Sequence, residues 1–108
     1  MSSPSCADDL LQSQLEIPIE DALSCHGESE RVAFVDGSWW LGQADRARQA
    51  YEQGPRITGS HFYDIDDVAS KTTELNPKGL PHMMPPPSLQ AAFMDAAGIT
   101  NQHHVVVY

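Results

Sequence analysis

Two apolar runs that never alternate with polar residues constrain this chain most. Val32-Ala33-Phe34-Val35 leads directly into Asp36-Gly37, and His104-Val105-Val106-Val107-Tyr108 is built the same way. Successive side chains of a strand point to opposite faces, so such runs call for cover on both faces. Sheets covered on both faces are mostly parallel, with helices carried on right-handed crossovers. An α/β fold is expected, with both runs as buried core strands.

The segments between them fit that plan. Apolar residues recur at Leu10, Leu11, Leu15, Ile17, Ile19, Ala22 and Leu23, where Pro18 opens a short outer helix and Gly27 helps to end it. Ala44 to Tyr51 consists of helix formers, with Ala44, Ala47, Ala50 and Tyr51 on one face and Arg46 and Arg48 pointing elsewhere. Gly54-Pro55 stops that helix, and a second strand follows over roughly Ser60 to Tyr63. Residues 67–87 carry six prolines or glycines and no period, which marks a long loop. Ser88 caps, or lies just inside, a helix with Leu89, Ala92, Phe93, Ala96 and Ala97 on one face, and Gly98 ends it. The order is helix, strand, helix, strand, loop, helix, strand, with no internal repeat. Residues 1–9, rich in Ser and Asp, read as a flexible leader, and residues 10–108 as one domain.

Charge narrows the partners. Fifteen acidic residues against six basic ones give a formal charge of -9, which repels phosphate backbones and anionic lipid, so neither nucleic acid nor membrane is an expected partner. No apolar stretch approaches the about 20 residues of a membrane span. The first residues have neither the acid-poor character of a transit peptide nor the pattern of a secretory signal. Cys6 and Cys25 could pair in principle, but two cysteines are too few for a secreted disulfide framework, and free thiols in a reducing compartment are the expectation.

Chemistry concentrates in Arg56-Ile57-Thr58-Gly59-Ser60-His61-Phe62-Tyr63-Asp64-Ile65-Asp66, where a glycine turn feeds an apolar run ending in carboxylates. If the strand persists, Asp64 and Asp66 lie on the same side, at a strand end where ligands of open α/β sheets gather. A calcium loop starting at Asp64 fails on spacing, because Val68 and Leu75 stand where ligands are needed. The plain reading of these carboxylates is a solvated loop in which they cap nearby backbone groups. Asp36 falls at a strand end, where it would bond nearby backbone N–H groups. Trp39 and Trp40 read as a loop folded onto apolar surface. Cys25-His26 makes a poor nucleophile and base pair, since sequence neighbours seldom face each other and Asp21, Glu28 and Glu30 crowd the thiol. His103 and His104 read as a surface pair, Met83 and Met84 as a loop anchor. Arg46 and Arg48 read as a solvated face, with pairing of one to Asp64 or Glu52 as the lesser alternative.

Taken in order, Val35-Asp36-Gly37-Ser38-Trp39-Trp40-Leu41, the Asp45-Arg46-Ala47-Arg48 helix, the Ile57 to Asp66 run, His82-Met83-Met84-Pro85, and Gly98-Ile99-Thr100-Asn101 through Tyr108 resemble a known family. The likeness is to the N-terminal domain of two-domain rhodaneses, the thiosulfate and 3-mercaptopyruvate sulfurtransferases, and runs from about Leu15 onward. It implies a three-layer domain, a parallel sheet flanked by helices, incomplete at its C-terminus. It implies sulfur transfer through a cysteine persulfide carried by a C-terminal rhodanese domain, with a small sulfur compound as substrate and no cofactor or metal. By the resemblance this chain holds no catalytic residue, Asp66 faces the substrate, and Asp36, Asp64, Trp39 and Gly59 are structural. A stand-alone module binding a protein or small anion is the alternative. The expected compartment is cytoplasmic or mitochondrial. The family's His-Ile-Pro-Gly-Ala segment is replaced here by Arg56-Ile57-Thr58-Gly59-Ser60, with a proline displaced to Pro55, and a looser turn is expected.

Overall fold

The computed structural model describes residues 16–27 and 31–108. The expected leader, the first part of the expected opening helix and Cys6 lie outside the described residues.

Val32–Asp36 forms β1, and every residue in it is buried. It is the middle strand of a parallel sheet, flanked by β2 (His61–Phe62) and β3 (His104–Val107) in the order β2-β1-β3. Phe34 is in register with Val106, and Val35 with both Val107 and His61. The apolar run thus becomes the central strand because both of its faces find cover.

Each face has its own core. On one, Val32 and Phe34 pack with Ala22 and Cys25 from α1 (Ile19–Ser24) and its C-terminal turn, joined by Ile17, Ile57, Val106 and Tyr108. On the other, Ala33 and Val35 meet Ile99, Tyr63 and the inner side of α4 (Pro87–Ala97), namely Phe93, Met94 and Ala97. Helices on both sides make the three layers expected of an α/β domain. Burial of each large apolar side chain here contributes roughly 1.5–3 kcal/mol.

The helix boundaries follow from local chemistry. Pro18 and Pro86 precede α1 and α4, and Pro87 opens α4, where its fixed φ suits a first helical position. α4 stops at Gly98, which takes the left-handed φ of 74°, while Ile99 N–H reaches back to the Met94 carbonyl at 2.8 Å. That closure drops Ile99 into the core at 7% exposure. The inward face of α4 is carried by Leu89, Gln90, Phe93, Met94 and Ala97, whereas Ala92 and Ala96 are exposed, so the expected apolar face is rotated toward Met94. α2 (Arg46–Gln53) buries Ala47 and leaves Ala44 and Ala50 outside.

Three expectations are corrected. First, β3 is not buried on both faces: Val105 is 40% and Val107 67% exposed, because β3 is an edge strand and α4 covers the β1 side of the sheet. Second, the carboxylates after β2 do not continue a strand. Asp64 instead caps a one-turn helix, α3 (Ile65–Val68), its side chain accepting the Asp66 N–H, so Asp64 and Asp66 are cap and first turn rather than neighbours on one strand face. Third, Cys25 is disulfide-bonded and not a free thiol.

Candidate functional site

Three segments converge beyond the C-terminal ends of β1 and β2, the end of the sheet at which ligands of open α/β folds collect. The first leaves β1 at Asp36, which is 7% exposed and whose Oδ1 accepts the Ser38 N–H at 2.9 Å. Its backbone carbonyl accepts the Tyr63 N–H at 2.9 Å, joining the two strand ends. The turn so fixed delivers Trp39.

The second is α3. Asp64 Oδ1 accepts the Asp66 N–H at 3.0 Å, and Asp64 Oδ2 accepts from Arg48 Nη2 at 2.7 Å. Arg48 Nη2 also lies 2.8 Å from Asp67 Oδ2, and the guanidinium carbon sits 5.2 Å from the centre of the Phe62 ring. Capping and pairing hold Asp64 and Asp67, leaving Asp66 pointed the other way. The lesser of the two readings of Arg48 is therefore the one observed for Asp64, while Arg46 lies 4.8 Å over Trp40.

The third is the proline-rich loop, which is organised rather than slack. Asn76, 6% exposed, donates through Nδ2 to the carbonyls of Ser70 at 2.9 Å and Leu80 at 2.7 Å, and accepts the Leu80 N–H at 2.8 Å. Ser70 N–H bonds the Met83 carbonyl at 3.1 Å and fastens the far end. Met83 is half-buried and Met84 82% exposed, so only the first serves as an anchor. Between Leu80 and Met83 the loop presents His82.

These segments meet at one carboxylate. Asp66 Oδ1 lies 2.9 Å from His82 Nε2, and Asp66 Oδ2 accepts the Trp39 indole N–H at 3.3 Å. The Trp39 and His82 rings meet edge to face with centroids 4.7 Å apart. The hydrogen bond from His82 holds the Asp66 carboxyl below its ordinary range, helped by the Trp39 N–H and the charges of His82 and Lys71 and opposed by partial burial. The Asp64 hydrogen bond in turn holds the Arg48 guanidinium even more firmly protonated. Because a carboxylate only accepts, Nε2 is assigned the proton, and the free acceptor of a neutral His82 ring is Nδ1. A carboxylate that fixes an imidazole tautomer is an arrangement for moving a proton at the opposite nitrogen.

Other residues singled out in the sequence lie apart from this cluster. Gly59 adopts φ 81°, the left-handed region that glycine enters freely, within the turn before β2. That turn is held by His26 Nε2, 2.8 Å from the Thr58 carbonyl, and by Tyr108, whose hydroxyl accepts the Ile57 N–H at 3.3 Å and donates to Ser60 Oγ at 3.0 Å. His26 thus faces the turn, and Cys25 is fully buried on the α1 side of the sheet. His103 bonds the Thr100 N–H through Nδ1 at 3.0 Å. Tyr63 donates to Gln90 Oε1 at 2.8 Å and, pushed up by burial, stays protonated. Among the described residues, no three side chains of the metal-binding kinds converge, and no helix is long and apolar enough to cross a membrane.

His82 is the residue whose place the sequence conceals. It was legible only as part of the His82-Met83-Met84-Pro85 segment, and its partner lies 16 positions away. Trp39, expected to fold onto apolar surface, is instead 39% exposed and turns its indole N–H to Asp66.

Comparison with known proteins finds similarity to sulfurtransferases. The chain is 30% identical over 91 residues to the 3-mercaptopyruvate sulfurtransferase of Mus musculus, an alignment covering 83% of this chain and 29% of that protein. It is 32% identical over 90 residues to the 3-mercaptopyruvate sulfurtransferase of Escherichia coli (strain K12), 82% of this chain and 30% of that protein. It is 34% identical over 77 residues to thiosulfate/3-mercaptopyruvate sulfurtransferase 1, mitochondrial, of Arabidopsis thaliana, 71% of this chain and 19% of that protein. The chain thus spans less than a third of the length of these relatives. No family model matches it, and no solved structure does.

Proposed function

This chain is homologous to the 3-mercaptopyruvate and thiosulfate sulfurtransferases of the rhodanese family over more than two thirds of its length, and on that premise we propose that it forms one wall of a sulfur-transfer site. The reacting thiolate comes from a second rhodanese unit, in the same longer polypeptide or in a partner. One observation carries the reading. The Asp66, His82 and Trp39 cluster is built for proton work and holds no nucleophile, while Cys25 is buried and disulfide-bonded.

The chemistry divides accordingly. A thiolate attacks the sulfur of 3-mercaptopyruvate, a persulfide S–S bond forms, the C–S bond breaks, and its electron pair leaves on the pyruvate enolate. The enolate then needs a proton. Protonated His82 supplies it, and Asp66 stabilises the imidazolium and holds its orientation.

The test is sulfur transfer by the purified chain, alone and mixed with the separately expressed cysteine-bearing domain of a related sulfurtransferase. Pyruvate release from 3-mercaptopyruvate is expected only in the mixture, and His82→Gln should lower it by roughly 100-fold or more. Turnover by the chain alone, or full activity of the His82→Gln mixture, contradicts the proposal.

A further inference from the structure

Three carboxylates within one turn of helix repel one another and compete for the same donors. Asp64, Asp66 and Asp67 occupy the cap and first turn of α3, yet their partners are sharply divided. Arg48 takes Asp64 at 2.7 Å and Asp67 at 2.8 Å through the same Nη2, whereas Asp66 keeps His82 and Trp39. The connection to Asp66 is direct. The Asp64 carboxylate that receives Arg48 on Oδ2 receives the Asp66 N–H on Oδ1, so the guanidinium fixes the group that fixes the Asp66 backbone.

We propose that Arg48 is a positioning residue for the Asp66 and His82 pair: bridging Asp64 and Asp67 on one side of α3, it aims the Asp66 carboxylate at His82 and Trp39 on the other. The inference rests on the functional reading above for its relevance to sulfur transfer, though not for its geometry. Arg48 reaches α3 from α2, which is anchored by Ala47 at 3% exposure and by the Tyr51 ring stacked on Phe62 at 5.3 Å. Its guanidinium rests on the same Phe62 ring, so its direction is set by packing as well as by charge. A planar guanidinium can serve two carboxylates in fixed directions, which a lysine ammonium does less well.

The effect on Asp66 has a definite sign. Removing Arg48 leaves Asp64 and Asp67 uncompensated beside Asp66, and like charges disfavour its ionised form. The groups facing Asp66 are His82, Lys71 and the Trp39 N–H, while Asp64 and Asp67 neighbour it along α3.

The experiment is NMR titration of the Asp66 side-chain carboxyl, together with the Trp39 indole N–H resonance, in the whole chain and in Arg48→Gln and Arg48→Lys. Arg48→Gln should move the Asp66 midpoint upward and shift the Trp39 resonance, and Arg48→Lys should restore the midpoint in part. An unchanged Asp66 midpoint and Trp39 resonance in a folded Arg48→Gln chain would overturn the proposal, leaving Arg48 a purely structural ion pair. If Arg48→Gln does not fold, Arg48→Lys decides: a displaced Trp39 resonance supports the bridging geometry, and an unmoved one overturns it. Because no sulfur transfer is measured, this result stands or falls independently of the proposed function.

Discussion

His82 Nε2 and Asp66 Oδ1 stand 2.9 Å apart although 16 residues separate them in the chain. One comes from a proline-rich loop and the other from a single helical turn, and nothing local forces them together. Their pairing is the point at which the loop, α3 and the Trp39 turn become one site.

Acid should dissolve that point late. The Asp66 carboxyl is held below its ordinary value of 3.8, first by His82. A depressed carboxyl contributes stability that is complete above the unfolded value and is lost as pH falls through the folded one. The side chain is about a third exposed, at 34%, so the contribution is small. The Trp39 indole N–H resonance is expected to hold steady through pH 5 and 4 and to move only beneath the ordinary aspartate range, and Asp66→Asn should abolish that step. A transition centred above 3.8 would contradict the geometry.

Asn76 sets the position of His82 from inside the loop. Its side chain satisfies two carbonyls and one N–H while only 6% exposed. Asn76→Ala strands those backbone groups, at a cost of about 1–3 kcal/mol. Urea unfolding should show that loss, and the Trp39 resonance should shift as His82 is released. A fully stable Asn76→Ala chain would mean that the loop is held elsewhere.

The strands and their parallel order were legible because Val32 to Val35 offers no polar face to water, and Gly98 marked the end of α4 because few other residues accept its φ. The α3 turn was not legible. Tyr63-Asp64-Ile65-Asp66 alternates as a strand would, whereas in the structure the Asp66 N–H donates to the Asp64 side chain, which caps a helical turn. The exposure of β3 was hidden for a different reason: Val105-Val106-Val107 states a preference for burial, whereas cover depends on which strand lies beyond it. His82 could not be found by spacing at all, since the loop between it and Asp66 is closed by Asn76 and not by any periodic pattern.

Phe34 is a large core side chain of the central strand. It sits in the central strand at 6% exposure, packed with Ala22, Cys25, Val32, Val106 and Tyr108. Phe34→Ala should cost about 3–5 kcal/mol, through lost transfer energy and the cavity left behind. Small domains have a total stability of roughly 5–15 kcal/mol, so much of the chain population should lose its cooperative melt. Near-ultraviolet circular dichroism would report it, and a thermal midpoint within a few degrees of wild type would show that the core collapses around the gap.

The β3 edge should make the isolated chain associate. Val107 is 67% and Val105 40% exposed on a strand that, among the described residues, pairs only with β1. Unpaired N–H and carbonyl groups beside exposed valines form a template for another strand. The charge of -9 opposes such contact between copies. Repulsion between exposed charges is screened beyond about 8 Å at physiological ionic strength, whereas the apolar contribution is not weakened by salt. Association measured by sedimentation should therefore rise with added sodium chloride. Val107→Lys should suppress it with little loss of stability, because the side chain it replaces is mostly in water. If the chain instead remains monomeric at high salt and high concentration, the edge is protected and Val107→Lys should change nothing.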